Sequence, residues 1–193
     1  GLGNSRFPDI DPSTLERLEV LRGPQGTMYG AASLGGLIKY VTKQPDTTAF
    51  SARVEAGLNT VRGGREGWNT RASVNLPFWS EKAALSVSGF DREDPAYMDN
   101  IRSGALGEDV NSAHTYGGRV ALLLKPFDGF ALTLSALRQK RRAQFGTGVQ
   151  SLPLATGAVP NWTPRFGRNN LDVAPNGDIG DQELYTGRIE WDL

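Results

Sequence analysis

The feature that most constrains this chain is a repeated alternation of apolar and polar residues over strand-length segments. Between residues 50 and 58 the even positions are Phe, Ala, Val, Ala and Leu, while the odd positions are Ser, Arg, Glu and Gly. Side chains of a strand point alternately to opposite faces, so each such segment predicts a strand with one apolar and one polar face. Six segments read this way, at about 50–58, 68–78, 83–88, 115–125, 130–135 and 185–193.

The connections between these predicted strands alternate in length. The turns at 79–82 and 125–129 are tight, whereas the connections at about 92–112 and 141–181 are long. Outer-membrane barrels have short periplasmic turns and longer extracellular loops. A soluble sandwich has no reason to sort its loops in this way. The pattern therefore predicts part of a transmembrane antiparallel β-barrel, with about six strands.

Aromatic residues fall at both ends of the predicted strands, on the apolar face. Those at the tight-turn ends are Phe50, Phe78, Phe130 and Trp191. Those at the long-loop ends are Trp68, Tyr116 and Tyr185. Aromatics often flank turns in any β protein, but two belts a strand length apart are typical of a bilayer's two interfaces.

Composition excludes several classes of function. The 21 basic and 21 acidic residues cancel, which argues against a nucleic-acid partner. The chain has no cysteine, which excludes thiol catalysis and cysteine-based metal sites. No segment approaches the roughly 18 apolar residues of a membrane helix.

The residues needed for catalysis are also missing. The only histidine, His114, is predicted to lie just before the fourth strand, and Ser33 is not in a G-x-S-x-G elbow. No phosphate-binding loop is present. Three acidic residues, Asp91, Glu93 and Asp94, lack a complete calcium-loop pattern. We predict that the protein is not an enzyme and holds no cofactor or metal.

The first 45 residues are organised differently. Asp11 and Pro12 are typical of a helix start, as N-cap and first helical residue. Two short strands are predicted at Arg17–Arg22 and Leu37–Thr42. Between them, Gly23 and Pro24 begin a turn.

The segment from Leu15 to Gly30, LERLEVLRGPQGTMYG, resembles the plug signature of TonB-dependent outer-membrane receptors. The continuation from Ser33 to Lys43 is similar to the stretch that follows it in that family. Met28 replaces the usual leucine, and Lys39-Tyr40 stands where Asn-Ile is commoner. The positions that carry the plug motif are Arg22, Gly23, Pro24, Gly26, Tyr29, Gly30, Gly35 and Gly36.

This resemblance implies an active transporter of the bacterial outer membrane, monomeric when full length. Its barrel of about 22 strands would be closed by an internal α+β plug. Residues 1–45 would be the C-terminal part of that plug, and residues 46–193 the N-terminal portion of the barrel. Its partners would be outer-membrane lipid, the inner-membrane TonB complex, reached through a segment missing here, and an extracellular ligand. The ligand would be a ferric siderophore, a cobalamin or an oligosaccharide.

In the same picture Arg22 would form a latch with carboxylates on barrel strands beyond this chain, or else be a solvated strand end. The turn glycines and Pro24 would hold turn geometry. Glu55 should lie near Arg71 if the first two barrel strands pair with matched faces. The charged residues predicted to face the lumen are Arg53, Glu55, Arg71, Arg119 and Arg188.

The long loops supply the candidate ligand contacts. A basic group, Arg138, Lys140, Arg141 and Arg142, could attract an anionic ligand or lipid phosphates, or could be a solvated collar. We take Arg141 and Arg142 as possible ligand contacts, together with Trp162 and Phe166, which could stack on a ligand.

Two other functions remain open at this stage. A passive porin would need no plug motif, so residues 15–43 speak against it. A soluble β-sandwich that binds carbohydrate would bury its apolar strand faces against a second sheet. Six strands cannot close a barrel and open edges are not tolerated in lipid, so we expect the chain to be a fragment.

Overall fold

A computed structural model describes residues 10–23, 36–100, 108–143, 169–170 and 179–192. It begins with a 3₁₀ turn, Pro12–Thr14, which Asp11 caps by accepting a hydrogen bond from the Ser13 amide at 2.9 Å. Two antiparallel strands follow, β1 (Leu15–Arg22) and β2 (Gly36–Thr42). The predicted start of a helix is thus a 3₁₀ turn, and the described part of the first 45 residues has no α-helix.

The rest of the described chain is dominated by one sheet. The strands of this part of the chain are β3 (Ser51–Thr60), β4 (Glu66–Phe78), β5 (Ala83–Asp94), β6 (Asp99–Asn100), β7 (Ala113–Leu124), β8 (Phe130–Ala143), β9 (Asn169–Asn170) and β10 (Ile179–Trp191). The six long strands pair in the order β3-β4-β5-β7-β8-β10, all antiparallel. β6 and β9 form a separate parallel pair.

The six predicted barrel strands therefore all form, joined in chain order by hairpins. The predicted loop boundaries were wrong at the long-connection ends. β5 continues to Asp94, β8 to Ala143, and β10 begins at Ile179. Alternation of apolar and polar residues stops in these stretches while the backbone pairing continues. The sequence pattern therefore predicted strands that were too short. The sheet is open and not closed into a barrel.

The sheet has two unlike faces. The apolar face carries the even-numbered residues of β3, β4, β7 and β8 and the odd-numbered residues of β5 and β10. The apolar face is not covered by other parts of the described chain, since Val54 is 82% and Leu58 is 88% exposed. The opposite, polar face is covered at its centre, where Arg119 is 5% and Thr115 is 0% exposed.

An exposed apolar face opposite a buried arginine is unlike a water-soluble sheet, which hides apolar residues and exposes charged ones. A soluble sandwich would also have buried the apolar faces of β3 and β4 against another layer. Among the described residues no helix is long and apolar enough to cross a membrane.

Candidate functional site

The polar face of the sheet is covered by the end of the β1–β2 hairpin and the segment after it. We call this contact the hairpin–sheet interface. From the hairpin side it is formed by Asp11 and residues 42–49. From the sheet it is formed by Arg71 and Asn75 of β4, Arg119 of β7 and Thr133 of β8.

The first contact is an ion pair between Arg71 and Asp11. The Arg71 Nε lies 3.1 and 3.0 Å from the two carboxylate oxygens of Asp11, whose side chain is fully buried. Arg71 also donates from Nη1 to the Asn69 side chain at 3.0 Å. A buried carboxylate needs such partners, because an unpaired buried charge is costly.

The second contact is made by Arg119. Its Nη1 donates to the Lys43 carbonyl at 2.9 Å and its Nη2 to the Thr42 Oγ1 at 3.2 Å. It has no ion pair among those found between described residues. Its guanidinium therefore holds the end of β2 by hydrogen bonds to a neutral carbonyl and a hydroxyl.

Asn75 fixes the segment that joins the hairpin to β3. Its Oδ1 accepts from the Asp46 amide at 3.0 Å, and its Nδ2 donates to the carbonyls of Asp46 and Ala49 at 2.8 and 2.7 Å. A weaker contact joins the Thr133 hydroxyl to Gln44 at 3.4 Å. Asn75 is 9% exposed, and its amide fills both its donor and its acceptor roles.

Two carboxylates on this side of the molecule have altered pKa values. The Lys39 ammonium, 3.1 Å from Glu19, and then Arg17 lower the pKa of the Glu19 carboxyl. The Thr48 hydroxyl and then its amide lower the pKa of Asp46, by hydrogen bonds of 2.6 and 2.8 Å. The Asp46 interaction stabilises the turn that leads into β3.

A polar cavity of about 440 Å³ lies beside the Arg71–Asp11 pair. Pro12, Ser13 and Lys43 line it from the hairpin. Arg53, Glu55 and Arg71 are among its residues on the sheet. A cavity of this size leaves room for water between the hairpin and the sheet.

The charged residues predicted to face the lumen share the polar face. Their strand positions place all of them there: Arg53, Glu55, Arg71, Arg119 and Arg188. The prediction that Glu55 lies beside Arg71 is confirmed, because the two are direct cross-strand partners. Their ion pairs differ from that register, since Glu55 pairs with Arg53 and Arg71 with Asp11. Arg188 pairs with Glu190 on its own strand.

The plug-motif residues are only partly described. Arg22 ends β1 opposite Gly36. Gly23 and Gly36 have φ values of +86° and +138°, which favour glycine. The predicted latch of Arg22 stays a prediction. The positions outside the described residues are Pro24, Gly26, Tyr29, Gly30 and Gly35 of the motif and Trp162 and Phe166 of the long loop.

The structure corrects the placement of the basic group. Arg138, Lys140, Arg141 and Arg142 lie in β8 and not in a loop, because β8 pairs with both β7 and β10 through this stretch. Two of them meet acidic partners on β10. Arg138 contacts Asp181 and Glu183 at 3.2 and 3.1 Å, and Lys140 contacts Asp181 at 3.4 Å.

His114 was also placed wrongly in a loop, since it is the second residue of β7. Its Nε2 lies 2.6 Å from Asp91 Oδ1, and its ring is 5.4 Å from that of Tyr116. Within the described ranges no group of histidine and acidic side chains could hold a metal ion.

Several members of the interface were not predicted from the sequence: Asp11 as a partner of the sheet, Asn75, Thr133 and residues 42–49. Asp11 had been assigned a capping role, which it also has. The available signal was the position of Asn75 and Thr133 on the polar face of strands that cross the centre of the sheet.

Comparison with known proteins gives three results. Residues 1–37 match the family model described as the TonB-dependent receptor plug domain. The chain is 30% identical over 150 residues to the pesticin receptor of Yersinia pestis, covering 72% of this chain and 21% of that protein. It is 27% identical over 192 residues to the iron-regulated outer membrane virulence protein of Vibrio cholerae, covering 94% of this chain and 28% of that protein.

A solved structure is similar as well. The ferric yersiniabactin uptake receptor FyuA from Yersinia pestis superposes with a TM-score of 0.57 at 29% sequence identity. The match covers 66% of this chain and 19% of FyuA. The chain thus spans between about a fifth and somewhat over a quarter of the length of these relatives.

Proposed function

The chain belongs to the TonB-dependent receptors of the bacterial outer membrane, and we propose that it is the part of such a receptor where the plug joins the barrel. Residues 1–45 are then plug, and residues 46–193 are the first barrel strands. The protein acts in transport and not as an enzyme.

One observation carries this proposal. The sheet turns its apolar face outward and its polar face toward the hairpin, with Arg71 and Arg119 in contact with plug residues. In a closed barrel the open apolar face would meet lipid, and the plug would fill the polar lumen. We propose that further strands close this sheet into a barrel in the whole receptor, because lipid does not tolerate open sheet edges.

We further propose iron or another metal, carried by a small chelator, as the substrate class. Related proteins are named as receptors for ferric enterobactin and metal-pseudopaline, in Pseudomonas aeruginosa, and for ferric yersiniabactin, in Yersinia pestis. These names favour a ferric siderophore over the cobalamin and oligosaccharide that the motif alone leaves open. The chelate would bind above the plug on the extracellular side.

Transport would depend on the inner-membrane TonB complex pulling on the plug. The hairpin–sheet interface suits such a movement, because its side-chain contacts are one ion pair and several hydrogen bonds. Breaking these contacts exposes polar groups that water can solvate. A passive porin would leave its polar face open to a channel and would not need the contacts of Arg71 and Arg119.

The test uses the full-length receptor expressed in a strain that lacks its own iron-chelate receptors. Outer-membrane fractions are examined for a heat-modifiable protein, and cells are assayed for uptake of iron-55 supplied on a panel of siderophores. We expect uptake of at least one chelate when TonB is present and none when it is deleted.

Uptake that persists without TonB would support a porin and contradict active transport. A soluble protein in the periplasm would contradict the barrel itself. Uptake of labelled cobalamin, with no iron chelate accepted, would retain the receptor and overturn only the substrate class.

A further inference from the structure

The cavity at the hairpin–sheet interface is lined by more cations than anions. Its charged lining residues are Lys43 from the hairpin side and Arg53, Glu55 and Arg71 from the sheet. The buried carboxylate of Asp11 lies next to them, in contact with Arg71. Three positive charges therefore share a space of about 440 Å³ with two negative ones.

Both acidic groups are already paired with arginine. Glu55 pairs with Arg53 on its own strand, and the two oxygens of Asp11 accept from Nε of Arg71. The ammonium of Lys43 has no ion pair with any residue that the structure describes. Lys43 is thus the cation of the cavity that lacks a counter-charge.

The cavity also contains hydrogen-bond donors that are not in use. Ser13 lines it from the hairpin and Ser73 from the sheet, and neither hydroxyl has a hydrogen-bond partner within the described ranges. Arg71 donates from Nε to Asp11 and from Nη1 to Asn69, so that its Nη2 can serve another acceptor. Donors from both sides of the interface therefore line the cavity.

A fourth cation is bonded to the backbone of Lys43. Arg119 is 5% exposed and donates to the Lys43 carbonyl and to a hydroxyl, both of which are neutral acceptors. Asp46, the acid of the linking segment, is bonded to Thr48 and interacts electrostatically with Lys125. With Arg119 included, the interface holds four cations and two anions, an excess of two positive charges.

Such an excess is unfavourable where the hairpin covers the sheet. Arg53 and Arg71 are diagonal neighbours on paired strands, about 7–8 Å apart. Like charges at this separation repel, and the repulsion is stronger where protein replaces water. A carboxylate or phosphate group in the cavity would offset this repulsion and would accept from the unused donors.

We propose that this cavity is a binding site for an oxyanion, a carboxylate or phosphate group held between the hairpin and the sheet. Lys43 binds it from the hairpin side, Arg71 binds it through Nη2 from the sheet, and Ser13 and Ser73 donate their hydroxyls. Ammonium and guanidinium groups both form charge-assisted hydrogen bonds with such anions. The cavity has room for a phosphate and several waters, since one water takes up about 30 Å³ in the liquid.

The anion would tie the hairpin to the sheet, because its ligands come from both. The site goes beyond the proposed function, since it does not depend on which substrate is transported. Two sources can supply the anion. One is a free ion in solution, such as inorganic phosphate. The other is an acidic side chain from a part of the whole receptor that lies outside the described residues.

The first measurement is binding of inorganic phosphate to the full-length receptor in detergent, by isothermal titration calorimetry at constant ionic strength. If the anion is free, we expect phosphate to bind the wild type and to bind Lys43→Met about tenfold more weakly, because a charged donor is lost. Lys43→Arg should restore the affinity, since it restores the charge. Lys39→Met is the matched control, because Lys39 pairs with Glu19 at 3.1 Å and does not line the cavity.

The second measurement detects a carboxylate that belongs to the receptor. A carbodiimide couples an amine to a carboxylate in contact with it, and peptide mass spectrometry then identifies the two residues. If the anion is a side chain, Lys43 should be coupled to an acid outside the described residues. Lys39 should be coupled to Glu19 in the same sample, which controls for the reaction.

Either result supports the site, and together they distinguish its two sources. The site is overturned if phosphate binding does not depend on Lys43 and if Lys43 is coupled to no acid or only to Asp11, Glu55 or Asp46. Ser73→Ala, which removes a neutral donor from the sheet, repeats the phosphate test without changing the charge. TonB-dependent uptake is measured separately on the wild type, so its failure would contradict the proposed function and leave this site untouched.

Discussion

Arg71 on the second strand of the sheet and Asp11 before the hairpin are 60 residues apart and form an ion pair in which Nε contacts both carboxylate oxygens, at 3.0 and 3.1 Å. The Asp11 side chain is fully buried, whereas the Arg71 side chain is 23% exposed. The sheet therefore supplies the cation and the plug the anion. The predicted latch of Arg22 has the opposite arrangement, with the cation on the plug and the carboxylates on the barrel.

Arg71→Gln should weaken the attachment of the plug by about 2–3 kcal/mol, because it leaves a buried carboxylate without its cation. Asp11→Asn should cost less, since Asn keeps an oxygen that can cap the 3₁₀ turn. The measurement is urea unfolding of the full-length receptor in detergent, with the protease sensitivity of the plug as the readout. In the double variant the two costs should not add, and strict additivity would contradict a direct pair.

Arg119→Met should loosen the end of β2, because the Lys43 carbonyl and the Thr42 hydroxyl both lose a donor. We expect cells with this variant to become several-fold more sensitive to a bulky antibiotic that the intact outer membrane excludes. Arg53→Met is the matched control, since its side chain is 72% exposed and pairs with Glu55 on its own strand. Equal sensitivity of both variants would show that Arg119 does not hold the plug.

The sequence was sufficient to predict the six strands, their two faces and the neighbourhood of Glu55 and Arg71. Each of these depends on a period of two along the chain or on matched faces between adjacent strands. The ends of β8 and β10 could not be found in this way. Arg138 and Glu183 stand where an apolar face should continue, and backbone pairing alone extends the strands there.

The contacts across the hairpin–sheet interface were not predictable for a different reason. Arg119 meets Lys43 across 76 residues of sequence, and Asn75 meets Asp46 across 29. No local pattern encodes which polar residue of a strand faces a distant backbone carbonyl. Asp11 showed only its local role, the cap of the turn, because that role is visible in four consecutive residues.

Gly36→Ala should destabilise the plug hairpin more than Gly23→Ala. Both glycines have positive φ, +138° and +86°. A Cβ at position 36 would lie 2.6 Å from the Leu21 carbonyl oxygen, whereas one at position 23 would meet nothing within 4 Å. We expect a cost of about 1 kcal/mol at Gly23 from conformation alone, and a larger one at Gly36. The measurement is the urea midpoint of the plug, and equal midpoints would contradict the steric argument.

Asp46 should make the junction between plug and barrel sensitive to acid. Its pKa is lowered from the ordinary value of 3.8 by hydrogen bonds from the Thr48 hydroxyl and amide. A carboxyl with a lowered folded-state pKa contributes stability that is present above its unfolded-state pKa and lost as pH falls through the folded value. The contribution should therefore be constant near neutral pH, begin to fall as the pH approaches 3.8 and be gone only below the lower folded-state pKa.

The check on Asp46 is a comparison of wild type with Asp46→Asn over that range of pH. Protease sensitivity of the junction should differ between the two near neutral pH and converge in acid. Thr48→Val, which removes the hydroxyl and keeps the amide, should give an intermediate result. A difference that grows as the pH falls would contradict the assigned direction of the pKa shift.

The tight turn between β4 and β5 holds three consecutive non-glycine residues in the left-handed region. Trp79, Ser80 and Glu81 have φ values of +55°, +47° and +67°. Each costs on the order of 1 kcal/mol, less for residues that tolerate this conformation. Asn is such a residue and a β-branched side chain is not. Ser80→Asn should therefore stabilise the folded barrel by about 0.5 kcal/mol and Ser80→Val should destabilise it by about 1 kcal/mol. Both are measured as shifts of the urea midpoint in vesicles, and shifts of the same sign would mean that backbone strain does not control this turn.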